Sequence, residues 1–296
     1  MRYRTAESFR RALDDRLVVL ARESGLPIDR LRKYAAFERF LARVEAVSPM
    51  TWVLKGGLAI NCRLGTFARP SRDIDLAHGA AEGAIGQLAA VAEAVSSPDD
   101  HFRFRPSLEP AASTHREESQ LRLRLATSVA GRVYDLATVD VVVEPDLAAT
   151  AEVLEVPSVL GFADLSPVTM LVTPVERHIA DKVDAYLRGH INVRTVSTRE
   201  KDLVDIVLLA AAERPHAGRL RRALHDVLHT EHAVPAALPP PPAAWGAAYR
   251  SLAQQLGLEE RTVAMAFERA RALLDPVLDG SASDDARWEP ASRTWR

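Results

Sequence analysis

Two aspartates, Asp73 and Asp75, lie two residues apart in the segment RPSRDIDL at 69–76. Polar and apolar residues alternate there, which predicts a strand with one solvated face. Residues two apart in a strand point to the same face, so we expect two carboxylates side by side. A hard divalent cation removes their repulsion, and Mg²⁺ commonly binds through one or two carboxylates together with substrate phosphates. The pair therefore predicts a magnesium site on the face of a sheet.

A third acid, Asp140, lies in the β-branched run ATVDVVV at 137–143. Burying an isolated carboxylate in such a run is costly unless a cation or another partner compensates its charge. If the two strands are neighbours, Asp73, Asp75 and Asp140 together form a site for two metal ions. In such a site one ion activates an attacking hydroxyl and the other neutralises a leaving pyrophosphate. The alternative is that Asp140 begins an exposed strand edge.

The glycines Gly56 and Gly57 follow an apolar strand predicted at 52–54 and precede a helix predicted at 58–64. Because they lack Cβ atoms, their backbone N–H groups can approach a triphosphate at the start of that helix, where the helix dipole favours anions. A Gly-Gly pair alone is a weak signal. The same-face acids about sixteen residues later make the combination more specific.

The elements that must position these residues follow from the apolar periodicity. We expect an α/β fold in two parts, with N-terminal helices and a mixed sheet flanked by helices at 1–165, and an α-helical C-terminal lobe at 166–296. Beyond Gly280 the polar tail is expected to fray. The predicted helices cover 6–22, 28–47, 58–64, 80–95, 175–187, 200–212, 243–256 and 259–278, and the predicted strands cover 52–54, 73–76, 102–105, 120–125 and 133–143.

Composition narrows the class of protein. The chain has 296 residues, of which 47% are hydrophobic, as expected of a globular protein. No apolar run approaches the roughly 20 residues needed to cross a bilayer, and no secretory signal is predicted at the N-terminus. The single cysteine, Cys62, excludes an internal disulfide, so a cytoplasmic location is expected. The net charge of −2 means that any contact with nucleic acid must come from a local basic surface.

The motif KGGLA at 55–59, followed by R-x-S-x-D-x-D-L at 69–76, resembles the nucleotidyltransferase superfamily. In particular it resembles the AbiEii-type branch of toxin-like enzymes, which includes the MenT toxins, and the resemblance covers roughly 52–209. It implies a nucleotidyltransferase-like fold, Mg²⁺ as cofactor, and transfer of a nucleoside monophosphate from an NTP co-substrate. The nucleotide contacts that it implies in this region are Lys55, Gly56, Gly57, Arg69 and Ser71.

The family also carries a lysine on a later helix, followed by a motif resembling R-D-L-x-D. Here Lys182 and the segment REKDLVD at 199–205 correspond to them. By resemblance, Lys182 contacts the triphosphate and Asp205 helps to organise the active site. One departure from the family pattern is that Lys201 occupies the place where the family has an arginine. Whether Arg199 or Lys201 has the role of that arginine is left open.

The sequence also allows non-catalytic interpretations of this second motif. Lys182 would then be a solvated helix lysine paired with Asp181 or Asp184. Asp202 would be a capping or surface acid, although it shares a helical face with Asp205 because the two are three residues apart.

Enzymes that this chain resembles transfer nucleotides to the 3′ end of tRNA, which blocks aminoacylation and hence translation, and they are encoded beside an antitoxin. We therefore expect tRNA as acceptor, a cognate antitoxin protein as partner, no membrane partner, and a monomer. Two sets of arginines would supply phosphate-backbone contacts, and a solvated surface is the alternative for both. The first set is Arg103, Arg105, Arg122 and Arg124, and the second is Arg188, Arg194, Arg219, Arg221 and Arg222.

Two rival functions differ in class from tRNA modification. One is a nucleotidyltransferase that modifies a protein or a small molecule. The other is a catalytically inactive binding module, which predicts a damaged set of metal ligands, whereas all three aspartates are present. A separate hypothesis concerns Ser71, two residues from Asp73, where a phosphoryl group would add negative charge beside the metal carboxylates and act as an off switch.

Overall fold

The computed structural model describes residues 3–65, 69–94, 99–109, 120–191, 199–228 and 234–296. The chain forms two compact units, Met1–Thr173 and Pro174–Arg296. Among the described helices, none combines the length and the apolar character that crossing a membrane would require.

The N-terminal unit is built around a mixed sheet, as the sequence predicts. The elements of the unit, in chain order, are α1 (Ala6–Ser24), α2 (Ile28–Val47), β1 (Val53–Lys55), α3 (Gly56–Leu64), β2 (Asp73–His78), α4 (Ala81–Glu93), β3 (Phe102–Glu109), β4 (Gln120–Val129), β5 (Arg132–Val143), α5 (Leu147–Thr150), β6 (Glu152–Val156) and β7 (Val168–Val172). In the described part of the chain, seven strands form this sheet in the order β3-β4-β5-β2-β1-β7-β6. The pairs β2–β5 and β1–β7 are parallel, and the other pairs are antiparallel.

One face of this sheet is buried against helices. Alternate strand residues such as Ile74 and Val139 point into the main core, together with Leu13 of α1 and Phe37 of α2. Each fully buried side chain of this kind contributes roughly 1.5–3 kcal/mol to stability. Because side chains alternate along a strand, the residues between these apolar positions belong to the opposite face. The burial pattern therefore fixes which residues that second face presents.

The C-terminal unit is mainly helical in its described residues. Its last helix begins at Val263 because Thr262 caps it, its side chain accepting a hydrogen bond from the Met265 amide. The elements of the unit are α6 (Val175–Ile191), α7 (Glu200–Ala212), α8 (Ala217–Leu228), α9 (Gly246–Leu256), α10 (Val263–Leu278), β8 (Trp288–Glu289) and β9 (Thr294–Trp295).

The expectation that the tail frays beyond Gly280 is wrong. Trp288 is almost fully buried, and its indole N–H donates to the Ala210 carbonyl oxygen at 2.7 Å. The strands β8 and β9 pair antiparallel, with Trp288 opposite Trp295. The buried Trp288 side chain therefore keeps the segment after Gly280 ordered, although its polar composition is typical of a flexible terminus.

Candidate active site

The register of two parallel strands brings the three predicted metal ligands together. Asp75 of β2 is the partner of Asp140 of β5, and Asp73 is the partner of Thr138. In-register residues of parallel strands point to the same face, and neighbouring strands lie about 4.8 Å apart. Asp73, Asp75 and Asp140 therefore share the face that is opposite to the main core. All three are only partly buried.

A small apolar cluster covers one end of this second face. It consists of Val53, Ala77 and Leu171 of the sheet together with Leu147 of α5. Along β2 the face changes from Ala77, which this cluster buries, to the partly exposed Asp75. The sheet face is therefore apolar at one end and carries the carboxylates next to it.

The turn from β1 into α3 passes against one of these carboxylates. Gly56 has φ +63°, and a Cβ built on it would lie 1.8 Å from Oδ2 of Asp75. A Cβ on Gly57 would lie 3.1 Å from Oγ of Ser71. Only glycine satisfies both the left-handed backbone and the close approach at position 56. The N-terminus of α3, where backbone N–H groups favour an anion, is thus placed beside the acids.

The loop that carries Arg69 and Ser71 is held by two side chains that sequence reasoning did not single out. The Tyr34 hydroxyl and the Asn61 amide donate to the Arg69 carbonyl oxygen at 2.7 and 2.9 Å, and the Arg69 amide donates to Asn61 Oδ1 at 3.1 Å. Burial raises the pKa of the Tyr34 hydroxyl. The Ser71 hydroxyl donates to the Asp73 carbonyl oxygen at 3.0 Å. The sequence offered one signal for Asn61, a polar residue inside the apolar segment LAINC at 58–62. The structure shows that this residue is fully buried.

Lys55 has a carboxylate partner that the sequence interpretation missed. Its ammonium group forms an ion pair with Glu144, and both side chains are largely buried. The Glu144 amide donates to the His78 carbonyl oxygen at 2.9 Å, which extends the β2–β5 pairing by one residue. Glu144 is four residues after Asp140, an even spacing that places both on one face of an extended strand. This spacing is the feature of the sequence from which Glu144 could have been predicted to lie on the same face as Asp140.

Asp140 forms an ion pair with Arg122 of the neighbouring strand β4. The two are register partners, and the guanidinium donates to both carboxylate oxygens at 2.6 and 3.0 Å. Within the described ranges no three His, Cys, Asp or Glu side chains are arranged around one point as metal ligands. The available donors are nevertheless carboxylate oxygens on one face, the type that Mg²⁺ prefers. The residues thus fit a magnesium site, with Arg122 balancing one of the carboxylates in this structure.

The second motif forms an ion-pair cluster in the C-terminal unit. Lys182 of α6 lies 2.8 Å from Asp205 and 3.4 Å from Asp202, both on α7 and both buried. Of the two candidate cations before Asp202, Arg199 lies 3.5 Å from its carboxylate, whereas the Lys201 side chain is exposed. The structure thus brings Lys182 and Asp205 together.

The acids that flank Lys182 on α6 have arginine partners. Asp181 lies 3.0 Å from Arg177, and Asp184 lies 2.9 Å from Arg188. Asp202 is only 2% exposed, so the interpretation of it as a surface acid is wrong.

The family model for the AbiEii toxin, described as a nucleotidyl transferase of a type IV toxin–antitoxin system, matches residues 39–279. The match includes the sheet with Asp73, Asp75 and Asp140 as well as the Lys182 cluster. No curated protein sequence matches the chain significantly. Since the matched segment covers most of the 296 residues, the protein belongs to the AbiEii family of nucleotidyltransferase toxins from type IV toxin–antitoxin systems.

Proposed function

We propose that this protein is a Mg²⁺-dependent nucleotidyltransferase that adds a nucleoside monophosphate to the 3′ end of tRNA and so blocks translation. The observation that carries the catalytic part is the register pairing of Asp75 with Asp140, with Asp73 on the same sheet face. Three carboxylates from two strands, beside a glycine turn that opens a helix, suit the binding of metal ions and a triphosphate.

The residues around the glycine turn would hold the nucleotide. Backbone N–H groups at Gly56 and Gly57 begin α3 and favour an anion. Lys55 and Arg69 supply positive charge on either side of this turn, and Ser71 supplies a hydroxyl. Lys182, in the C-terminal unit, is a further triphosphate contact by resemblance to the family.

The reaction is a displacement at the α-phosphorus of the NTP. The 3′-hydroxyl oxygen of the RNA forms a bond to this phosphorus and gives up its proton to water. The bond from the phosphorus to the bridging oxygen of the β-phosphate breaks, and pyrophosphate leaves with the electron pair of that bond. Magnesium, held by Asp73, Asp75 and Asp140, would supply activation of the hydroxyl and neutralisation of the pyrophosphate charge. The chain's own residues orient the triphosphate and keep positive charge near the leaving group.

The choice of acceptor rests on the family resemblance. A tRNA must present a free 3′-terminal adenosine to be aminoacylated, so one added nucleotide is enough to remove it from translation. Transfer to a protein or a small molecule would use the same carboxylates, and the acceptor pool must therefore be identified directly.

The test is incubation of the purified protein with each of the four α-labelled NTPs and either total tRNA or total cell protein. We expect label in tRNA alone, and sequencing of the 3′ ends identifies the added nucleotide. Asp73→Asn should lower transfer by about 10³-fold or more, because a carboxylate of the metal site is lost. Asp15→Asn, at an exposed position of α1, is the matched control. Label in protein alone would contradict the tRNA assignment, and label in neither pool would favour the binding-module interpretation.

A further inference from the structure

Four arginines lie on the same sheet face as the carboxylates. Arg122 and Arg124 belong to β4, where Arg122 is opposite Asp140 and Arg124 is opposite Thr138. Register partners in an antiparallel pair share a face, so both arginines are on the face that carries Asp140. The two side chains are exposed, whereas the intervening Leu123 is buried in the main core.

The series continues on the edge strand β3 in a diagonal direction. Arg105 is opposite Ala126 and Arg103 is opposite Ser128. Arg105 is therefore displaced from Arg124 by one strand across the sheet and by two residues along it, and Arg103 lies two residues further along the same strand. Steps of two residues along a strand or diagonally between strands are about 7–8 Å. We call Arg122, Arg124, Arg105 and Arg103, taken in this order, the arginine diagonal.

The charge of the arginine diagonal is available to a ligand at its outer end. Arg105 is exposed and forms no ion pair with any residue that the structure describes. Arg103 pairs with Asp99, but both of these side chains are about half exposed. Exposed ion pairs of this type are weak and exchange readily for a phosphate.

The second set of arginines also contains paired and exposed members in its described part. Arg188 pairs with Asp184, and Arg221 pairs with Asp284. Arg194 lies outside the described residues. Arg219 is exposed. Ion pairing therefore does not distinguish the two sets. The arginine diagonal is the better candidate for binding the acceptor because it begins on the sheet face that carries the predicted metal ligands.

We propose that the arginine diagonal binds consecutive phosphates of the acceptor RNA strand and guides its 3′ end to Asp140. This inference rests on the proposed function. The regular step of about 7 Å between basic groups suits the repeating charge of a nucleic acid backbone. The side chains that lie between the arginines on this face include Thr138, Ala126 and Ser107, which are small and leave room for a phosphate backbone.

An RNA strand suits this face better than an acidic protein does. Protein interfaces have an apolar core that is rich in aromatic residues. Among the described side chains around the arginine diagonal, the large exposed apolar groups are Leu136 and Val133, and neither is aromatic. Phosphate contacts need no such core, because release of counterions supplies the affinity. We therefore commit to RNA as the occupant.

The test is the affinity of the wild-type protein and its variants for 5′-fluorescein-labelled tRNA, measured by anisotropy without NTP over a series of salt concentrations. Arg105→Ala and Arg124→Ala should each weaken binding by about five- to tenfold, and each should lower the slope of log affinity against log salt by roughly 0.7. Arg105→Lys and Arg124→Lys should retain most of the slope, which separates loss of charge from misfolding. Arg16→Ala, at an exposed position of α1 on the other side of the sheet, is the matched control and should behave as wild type.

Transfer kinetics provide the second readout. The alanine variants should raise the KM for tRNA by a similar factor and leave the KM for the NTP unchanged. Wild-type labelling of tRNA, combined with variants that match Arg16→Ala in affinity, slope and KM, would overturn this inference alone. The same holds if the variants lose affinity for the antitoxin but not for tRNA. Failure of the wild-type protein to label tRNA would overturn the proposed function and this inference with it.

Discussion

Gly56 is subject to two separate constraints. Its φ of +63° lies in the left-handed region, and it packs against the carboxylate of Asp75, where a Cβ would collide with Oδ2. Gly65, at the other end of α3, has nearly the same φ of +61°, but no atom of the residues that the structure describes lies within 4 Å of the position that its Cβ would take. A comparison of Gly56 with Gly65, which follows the last residue of α3, therefore separates backbone strain from displacement of the carboxylate.

We predict that Gly56→Ala and Gly65→Ala have different effects on activity. Both substitutions should cost about 1–2 kcal/mol of stability, because alanine is strained in the left-handed region. Only Gly56→Ala should displace Asp75, and we expect it to lower nucleotide transfer by about 100-fold or more. Thermal unfolding and transfer rates of both variants are the measurements. Equal activity of the two variants would show that the contact with Asp75 has no catalytic importance.

At the residue scale, sequence reasoning identified the acids that share a face but missed their partners. The period of two in a strand predicts that Asp73 and Asp75 point the same way, and the structure agrees. The pairs Arg122–Asp140 and Lys55–Glu144 depend on which strands are neighbours and in which register. That information comes from long-range packing and is absent from the local pattern.

At the scale of elements, the parallel pairing of β2 with β5 is the feature that assembles the site. Apolar alternation predicts where these strands run, and the predicted positions of both agree with the structure. It does not predict that they are neighbours, because β3 and β4 intervene in the sequence. The short strands β6 and β7 and the helix α8 were missed. The arginines of α8 were interpreted as a basic surface, although its buried Leu220 and Leu224 recur at helical spacing.

The cluster of Lys182 connects α6 to α7 and gives a stability prediction. Lys182→Met leaves Asp202 and Asp205 buried without the lysine's charge, and breaking a buried ion pair in this way typically costs about 3–5 kcal/mol. We expect a lower free energy of unfolding by about this amount in urea denaturation. Lys201→Met changes an exposed lysine on α7, the helix of the two acids, and should be close to neutral. If Lys182→Met were as stable as Lys201→Met, the cluster would not be structural.

A buried acid on α2 gives a prediction for pH dependence. Burial raises the pKa of Glu38 to about 7, although Arg39 opposes the shift and the Ser158 hydroxyl and Val159 amide donate to its carboxylate. In the unfolded chain this carboxyl titrates near its ordinary value of 4.5. The folded state therefore holds its proton more tightly. The contribution of this group to the free energy of unfolding has its full value below pH 4.5 and falls by on the order of 3 kcal/mol as the pH rises to 7.

Glu38→Gln removes this titration, because an amide does not ionise. We expect the wild-type melting temperature to fall between pH 5 and 7 relative to that of Glu38→Gln, with parallel curves above pH 8. Calorimetry of both proteins at matched ionic strength is the measurement. If the two curves of melting temperature against pH were parallel from pH 5 upwards, folding would not raise the pKa of Glu38.

For the molecule as a whole, the net charge says little about function, because basic residues are grouped locally on its surface. A net charge of −2 gives no sign of nucleic acid binding, yet four arginines lie on one sheet face beside the carboxylates. The motifs predicted the family over roughly 52–209, and the family match confirms it over 39–279. The order of the segment after Gly280 could not be predicted from the polar composition of that segment. Burial of the large side chain of Trp288 stabilises it, although most of its residues are polar.

Replacing the Asp140 carboxylate with a thiol shows whether this residue binds magnesium together with Asp73 and Asp75. Transfer of label from an α-labelled NTP to tRNA is measured for wild type, Asp140→Cys and Asp140→Ser in Mg²⁺ and in Mn²⁺. Thiolate is a poor ligand for Mg²⁺ and a better one for softer ions. We predict that both variants lose nearly all transfer in Mg²⁺ and that only Asp140→Cys recovers in Mn²⁺. Wild-type rates for Asp140→Ser in Mg²⁺ would show that Asp140 is not a magnesium ligand.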